Sequence, residues 1–317
     1  MSDIRPLWGV VTPVFEDGES FARLCERLGG LQANARYFMV AVDDGSLGAP
    51  PEVEAISRAG LTGEVLRLAR NVGHQAAIAI GLNHCAERAD LAGVIVMDSD
   101  GEDAPEAVPL LIAACAAPNV DVVVAERAKR SETLSFRAFY VVYRYVFLAL
   151  TGQVIRFGNF MALKPHAVRR MAAMHETWTH LAASVVKSRL RRAAAPTDRA
   201  TRFAGQSRMN FVSLVLHGMR AVMVFADAVL TRLTLLCVIM ASVSAISVIT
   251  ALMMKILGFA TAGWVTTVTG FSLSIFIQIG ALTMITLIIN GLTRSESPVR
   301  LAATARETVA RIDRTGA

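Results

Sequence analysis

Cysteine is scarce in this sequence and scattered: Cys25, Cys85, Cys115 and Cys237 form no CxxC pair and no zinc-ligand spacing. That excludes a disulfide scaffold and a zinc module, and it fits buried thiols in a reducing compartment. Met1 to Val10 holds no apolar run long enough for a signal peptide and carries Asp3 and Arg5, so the segment that follows is expected to stay in the cytoplasm. No GxGxxG turn stands after the first apolar run, where the residues read VTPVFEDGES, and a dehydrogenase is set aside on that ground. A basic stripe interleaved with stacking aromatics is missing too. Nucleic acid is therefore excluded as the partner of the +6 formal charge, and anionic lipid is expected instead, because many arginines flank apolar segments. Charge itself is absent from Leu233 to Met254 and from Trp264 to Leu292, each longer than the ~20 residues that span a hydrocarbon core.

What is present divides the chain. The 317 residues suffice for one domain of roughly 200 residues and something extra. The apolar fraction of 54% exceeds the roughly 45–50% of soluble proteins, with the excess after Leu233. Five short apolar runs suit buried strands: Trp8 to Phe15, Phe38 to Val42, Glu64 to Leu68, Leu91 to Met97 and Val120 to Ala125. Between them, Phe21, Leu24, Cys25 and Leu28 recur at helical spacing, as do Ile78, Gly81, Leu82 and Cys85, and Val108, Leu111, Ile112 and Cys115. Strands alternating with amphipathic helices predict an α/β head with a mostly parallel sheet and helices on both faces, its ligands beyond the carboxyl ends of the strands. The aromatic stretch Ser135 to Leu150 reads as a core helix or one lying against lipid. The expected organisation is a head over 1–207, an amphipathic juxtamembrane helix over 208–232, a two-helix transmembrane hairpin over 233–292 and a cytoplasmic tail over 293–317. Arg220, Arg232, Arg294 and Arg300 on the outer flanks, against Lys255 alone in the connector, place both ends of the hairpin in the cytoplasm, and so predict an inner-membrane protein.

The chemistry concentrates at the strand ends. In VIVMDSDGEDAPE, Asp98 and Asp100 are expected on one side of a strand end about 7 Å apart. Their repulsion, on the order of 2 kcal/mol at an effective dielectric near 20, would be reversed by a divalent cation, and oxygen ligands suit Mg²⁺ or Mn²⁺ on a diphosphate. A solvated acidic turn is the other use of such a cluster, and Asp103, followed by Pro105 and Glu106, reads as a helix cap. Asp43-Asp44-Gly45-Ser46 suits a turn, or a carboxylate bonded to a base or ribose. Arg70, Asn71 and Gly73 open a helix whose amides could face a phosphate or simply need a cap. Basic Arg127, Lys129 and Arg130 follow the fifth run, and arginine grips phosphate in a bidentate way. His175, Glu176, Trp178 and His180 offer an alternative base, although a lone histidine on an apolar helix is more often structural.

In this order the segments VVTPVFED, VDDGS, RNVGHQAAIAIGL, VMDSDGEDAPE, ERAKRSE, FGNF and GQSRMNFVSL resemble family 2 glycosyltransferases, in particular the membrane-anchored polyprenyl-phosphate group that includes dolichyl-phosphate mannose synthase-like enzymes. The resemblance implies a GT-A fold with a Rossmann-like sheet, followed by an interfacial helix and two transmembrane helices. It implies an inverting transfer from a nucleotide-diphosphate sugar to a membrane lipid, a polyprenyl phosphate, for cell-envelope glycan synthesis. Pro13, Phe15, Asp17, Asp43 and Asp44 would hold the nucleoside, Arg70, Asn71, Gly73 and Ser99 would complete the donor site, and Asp98, Asp100 and Glu102 would bind the metal. Arg127, Lys129 and Arg130 would take the acceptor. The chain departs from the group in having Phe15-Glu16-Asp17 where a PxYNE-like start is frequent, and Arg156 where an aspartate often precedes Gly158. It also lacks the QxxRW motif of processive polysaccharide synthases. A membrane-tethered binding domain without turnover is the competing class, transfer to another hydroxyl the competing reaction, and a homo-oligomer is compatible with either.

Overall fold

The computed structural model describes residues 4–127, 134–198, 200–204, 211–259, 261–293 and 298–316. The chain divides into two compact units, one formed by Met1–Arg144, Gln153–Val224 and Pro298–Ala317, the other by Tyr145–Gly152 and Phe225–Ser297.

In the first unit the elements run β1 (Leu7–Val14), α1 (Gly18–Gly29), β2 (Arg36–Asp43), α2 (Val53–Arg58), β3 (Thr62–Leu68), α3 (His74–Ala86) and β4 (Gly93–Val96). A 3₁₀ turn at Pro105–Ala107 leads into α4 (Val108–Cys115), followed by β5 (Val122–Arg127), α5 (Leu134–Thr151, assigned to the second unit from Tyr145 on), β6 (Met161–Leu163), α6 (Pro165–Ala172), α7 (Glu176–Thr179), α8 (Leu181–Lys187), β7 (Arg192–Thr197) and α9 (Phe211–Val224). The second unit holds the long helices α10 (Ala226–Ile256) and α11 (Trp264–Thr293), after which α12 (Pro298–Thr308) and β8 (Val309–Arg314) rejoin the first.

The eight strands form one sheet in the order β7, β5, β6, β4, β1, β2, β3, β8. β3, β2, β1 and β4 run parallel, and the three-residue β6 is antiparallel to both its neighbours, so β5 again points the same way as β4. Consecutive side chains of one strand enter different layers. Val10 packs with Phe21, Leu24 and Met39 on one face, while Val11 packs with Ile78, Leu82 and Val96 on the other. A strand buried on both sides is largely apolar, which is why β1 to β5 are visible as runs. The α3 helix lies so close to β1 that a Cβ at Gly81 would fall 2.5 Å from Val11 Cγ1.

The last strand is an addition to the sequence reading. β8 pairs antiparallel with β3, and Arg314 and Arg306 reach Glu64 and Glu87 at 3.0 and 2.6 Å. The segment after the hairpin is therefore part of the head's sheet, not a separate tail.

At the other boundary the structure breaks the expected 208–232 helix at Phe225, whose backbone (φ −105°, ψ 27°) ends α9 and lets α10 begin at Ala226. The described side chains of α9 carry an exposed row of Val212, Leu216, Met219 and Met223 at helical spacing. α10 and α11 are long and apolar enough to cross a membrane, at about 45 Å each against a hydrocarbon core of about 30 Å. Leu236, Ile239, Ile246, Ile249, Phe271 and Phe276 stand more than half exposed on them, apolar surface that water does not tolerate on this scale.

Candidate active site

The carboxyl ends of β1 to β4 bring their loops to one edge of the sheet. Where β1 ends, Glu16 turns back with a left-handed backbone (φ 50°), and its carboxylate accepts hydrogen bonds from the amides of Leu47 (2.7 Å), Gly48 (2.9 Å) and Ala49 (2.6 Å). Its own amide donates to Ser46 Oγ at 2.8 Å. Beneath this loop Asp43 is buried: Oδ1 accepts from the Ser46 amide at 3.0 Å and Oδ2 meets Arg67 Nη1 at 3.0 Å. Asp44, equally buried, accepts from the amides of Val72 (2.7 Å) and Gly73 (2.9 Å). Burial raises its pKa, against the pull of those two amides and His74. Of the amides expected to face a phosphate, those of Val72 and Gly73, just before the first residue of α3, are thus satisfied by Asp44.

β4 stops at Val96, so Asp98 and Asp100 lie in the turn that follows and not on the strand itself. Gly101 (φ 85°) makes this turn possible and packs against the Phe203 ring, whose Cδ2 would lie 2.6 Å from an added Cβ. Each carboxylate faces a basic side chain. His74 Nε2 lies 3.3 Å from Asp98 Oδ1, and Arg202 Nη2 lies 2.6 Å from Asp100 Oδ2 and 3.6 Å from Glu102 Oε1. The Asp100 pKa is raised by burial, opposed by the Glu102 amide and Arg202 and reinforced by Asp98. For His74, burial acts downward, but the carboxylates of Asp98, Asp103 and Asp100 outweigh it and raise the pKa. Asp103, expected to cap a helix, accepts instead from the Asp98 amide at 3.1 Å, and the cap position before the 3₁₀ turn is Ala104. Segment 200–204 closes over the turn through the Phe203 amide on Asp100 O at 2.8 Å.

A second group supports His74. Its Nε2 lies 3.1 Å from the Asn159 amide nitrogen, and Gln75 spans Asn159 Oδ1 (3.4 Å) and the Leu181 amide (2.6 Å). His180 accepts from the Ala183 amide at 3.2 Å as the cap of α8, and its ring lies 4.4 Å from that of His217. Burial, with His217 and Arg220 nearby, pushes its pKa down to about 3. Glu176 is paired with Lys187 at 2.9 Å. Both therefore hold the helices together, and the reading of 175–180 as a source of catalytic base finds a structural use for these two residues.

Of the residues anticipated from the sequence, Asp98, Ser99, Asp100 and Glu102 share one turn, and Pro13, Phe15, Asp17, Asp43, Asp44, Arg70, Asn71 and Gly73 sit in or beside the loops of β1, β2 and β3. Phe15 is 42% exposed, Arg70 and Asn71 are exposed, and Arg156 is exposed before Gly158. The backbone of β5 carries Arg127 to the same edge, while Lys129 and Arg130 lie outside the described residues. The sequence reading missed Glu16, Arg67, His74, Asn159 and Arg202. His74 and Asn159 do stand inside RNVGHQ and FGNF, two of the segments singled out there.

The sequence model described as "Glycosyl transferase family 2" matches residues 10–178. The chain is 29% identical over 223 residues to an undecaprenyl-phosphate 4-deoxy-4-formamido-L-arabinose transferase of Edwardsiella ictaluri, covering 68% of this chain and 67% of that one. It is 25% identical over 279 residues to the uncharacterized glycosyltransferase YkoT of Bacillus subtilis, covering 83% and 81%. Among solved structures it is similar to a mycobacterial protein (18% identity, 72% and 75% covered, TM-score 0.50). A glucosyl-3-phosphoglycerate synthase from Mycobacterium tuberculosis is similar at 16% identity, with 72% and 80% covered and a TM-score of 0.50. These structures bear on the fold of the head.

Proposed function

The chain belongs to glycosyl transferase family 2, and from that membership we propose that it moves a sugar from a nucleotide-diphosphate sugar to a polyprenyl phosphate in a membrane, with inversion at the anomeric carbon, for a cell-envelope glycan. One observation carries the reading: the acidic turn of Asp98, Asp100 and Glu102 at the edge where the parallel strands end, beside the basic side chains of His74 and Arg202. The acceptor named for the Edwardsiella relative and two helices apolar enough for a bilayer support a lipid phosphate.

A divalent metal, Mg²⁺ or Mn²⁺, is part of the proposal. Its fit is tested by Arg202, whose guanidinium already draws Asp100 and Glu102 to one positive charge. Among the described residues no three His, Cys, Asp or Glu side chains converge to hold an ion alone. A magnesium-type site takes one or two carboxylates and completes itself with phosphate oxygens and water. Asp100 and Glu102, which already share Arg202, would hold the ion with Asp98 beside them, and when bound it would offset the charge growing on the departing diphosphate.

The remaining work falls to the chain's own groups. A phosphate monoester with a second pKa near 6 is largely dianionic at neutral pH. Its oxygen forms the new bond to the anomeric carbon while the bond to the nucleoside diphosphate breaks and its electron pair leaves with the diphosphate. No proton has to be removed, so a strong base is unnecessary. Arg127, Lys129 and Arg130 would grip the acceptor phosphate, Pro13, Phe15 and Asp17 would flank the nucleoside, and Asp43 and Asp44 would hold the loops that carry it. The head faces the cytoplasm in this proposal, on the arginine-rich side of the hairpin.

The test is an incubation of membranes containing the chain with a panel of labelled nucleotide-sugars and short polyprenyl phosphates. A metal-dependent lipid-linked sugar is expected; release of free sugar alone, or transfer only to a soluble hydroxyl compound, would sink the acceptor assignment.

A further inference from the structure

We infer that Asp313, on the strand that follows both apolar helices, is a positioning residue for the nucleotide-sugar site, acting through Arg67 on Asp43. Arg67 lies on β3 directly across from Asp43 on β2, and across from Arg311 on β8, two residues from Asp313. Its guanidinium meets three partners. Nε lies 2.6 Å from Asp313 Oδ2, Nη1 lies 3.0 Å from Asp43 Oδ2, and Nη2 donates to Pro51 O at 3.2 Å. The carboxylates are almost fully enclosed, at 9% and 4% exposure for Asp313 and Asp43, and Arg311 holds the second oxygen of Asp313 at 2.5 Å.

A guanidinium donates from a planar fork whose directions are fixed relative to one another. Once Asp313 fixes the Nε edge, the other two edges are aimed, one at the carboxylate that ends β2 and one at the carbonyl that ends the loop after it. Asp43 in turn holds the Ser46 amide, and Ser46 Oγ holds the Glu16 amide. One chain of bonds thus runs from β8 to both loops proposed to flank the nucleoside. Without Asp313 the fork can swivel, and the buried Asp43 carboxylate keeps a cation of undefined direction.

The inference rests on the proposed nucleotide-sugar site, and the test separates the two. The full-length chain in membranes is assayed as wild type, Asp313→Asn, Asp313→Glu, Arg67→Lys and Arg314→Gln, the last breaking the neighbouring tie of β8 to Glu64 without touching Arg67. Asp313→Asn is expected to raise the nucleotide-sugar KM about tenfold, the factor that accompanies loss of one charge-assisted hydrogen bond, with kcat and the acceptor KM unchanged. Asp313→Glu restores the KM, Arg67→Lys reproduces the defect because it keeps the charge and loses the fork, and Arg314→Gln leaves the KM alone. A wild-type KM in Asp313→Asn, or an equal rise in Arg314→Gln, overturns the relay while leaving the transferase reading intact. If the wild type transfers no sugar, calorimetric titration of the same proteins with a panel of nucleoside diphosphates decides: about tenfold weaker binding in Asp313→Asn upholds the relay, and equal or absent binding overturns it.

Discussion

Glu16 is a non-glycine residue held at positive φ, a conformation that costs on the order of 1 kcal/mol and persists only where the surroundings over-determine it. Here the side chain supplies its own reason, gathering three successive amides of the neighbouring loop. Replacing Glu16 with Ala should release that loop, lowering the unfolding free energy of the head by about 1–3 kcal/mol in denaturant titration and raising the nucleotide-sugar KM; an unchanged KM would separate the loop from the donor site. Asp100→Asn makes a different demand. It should abolish metal-dependent transfer while leaving membrane insertion and expression intact, and full activity in that variant would end the metal proposal. Sequence alone pointed to Asp98 and Asp100 because two acids after an apolar run have few structural uses. It passed over Glu16, whose use depends on residues 47–49 lying above it, and over Arg202, which meets Asp100 only after the chain has passed through three more strands.

Helix α3 shows how an element depends on a residue outside it. It is buried along Ala77–Leu82, yet the amides of Val72 and Gly73 that lead into it are held by Asp44 from the loop after β2, and its own cap position supplies no side-chain hydrogen bond. Asp44→Ala should cost about 1–3 kcal/mol of stability and loosen His74 from Asp98, seen as faster hydrogen exchange at residues 72–76 than in wild type. The α8 helix is sensitive to pH instead. His180 caps it in the neutral form, with a pKa near 3 in the fold. Between that value and the unfolded value near 6.5 the unfolded chain binds the proton and the fold does not, so stability falls as pH drops below about 6.5. His217, also held below its usual pKa by burial, His74 and Arg220, pushes the same way. Thermal melts from pH 7 to pH 4.5 should show a loss on the order of 1 kcal/mol per pH unit at most from His180, flattened in His180→Asn. The helices α1, α3 and α4 and strands β1 to β5 were legible because burial on one or both sides writes itself into apolar spacing. Three strands were not: β6 is three residues long, β7 is alanine-rich with Pro196, and β8 reads VARIDR, an exposed edge whose identity comes from its partner.

At the scale of the whole molecule, the two apolar helices were visible in the sequence by their lack of charge, and the return of the chain to the sheet was not. If α10 and α11 both cross a bilayer, the chain must come back to the face it left, since β8 pairs with β3. A cysteine introduced at Ala262, in the connector between those helices, should react with an impermeant maleimide added outside intact cells, and one at Glu307 on α12 should react only after the cells are opened; labelling of both from outside would contradict the paired crossing. The same strand pairing also sets an order in time. β3 is complete roughly 240 residues before its edge partner exists, and at about 5–20 residues per second a ribosome needs some tens of seconds to make the difference. Throughout that interval β3 is the edge of the sheet, and the strand that covers it emerges only after both apolar helices have been synthesised. Completion of the head therefore follows the hairpin during synthesis, and a chain whose hairpin strays is left with a sheet that is one strand short.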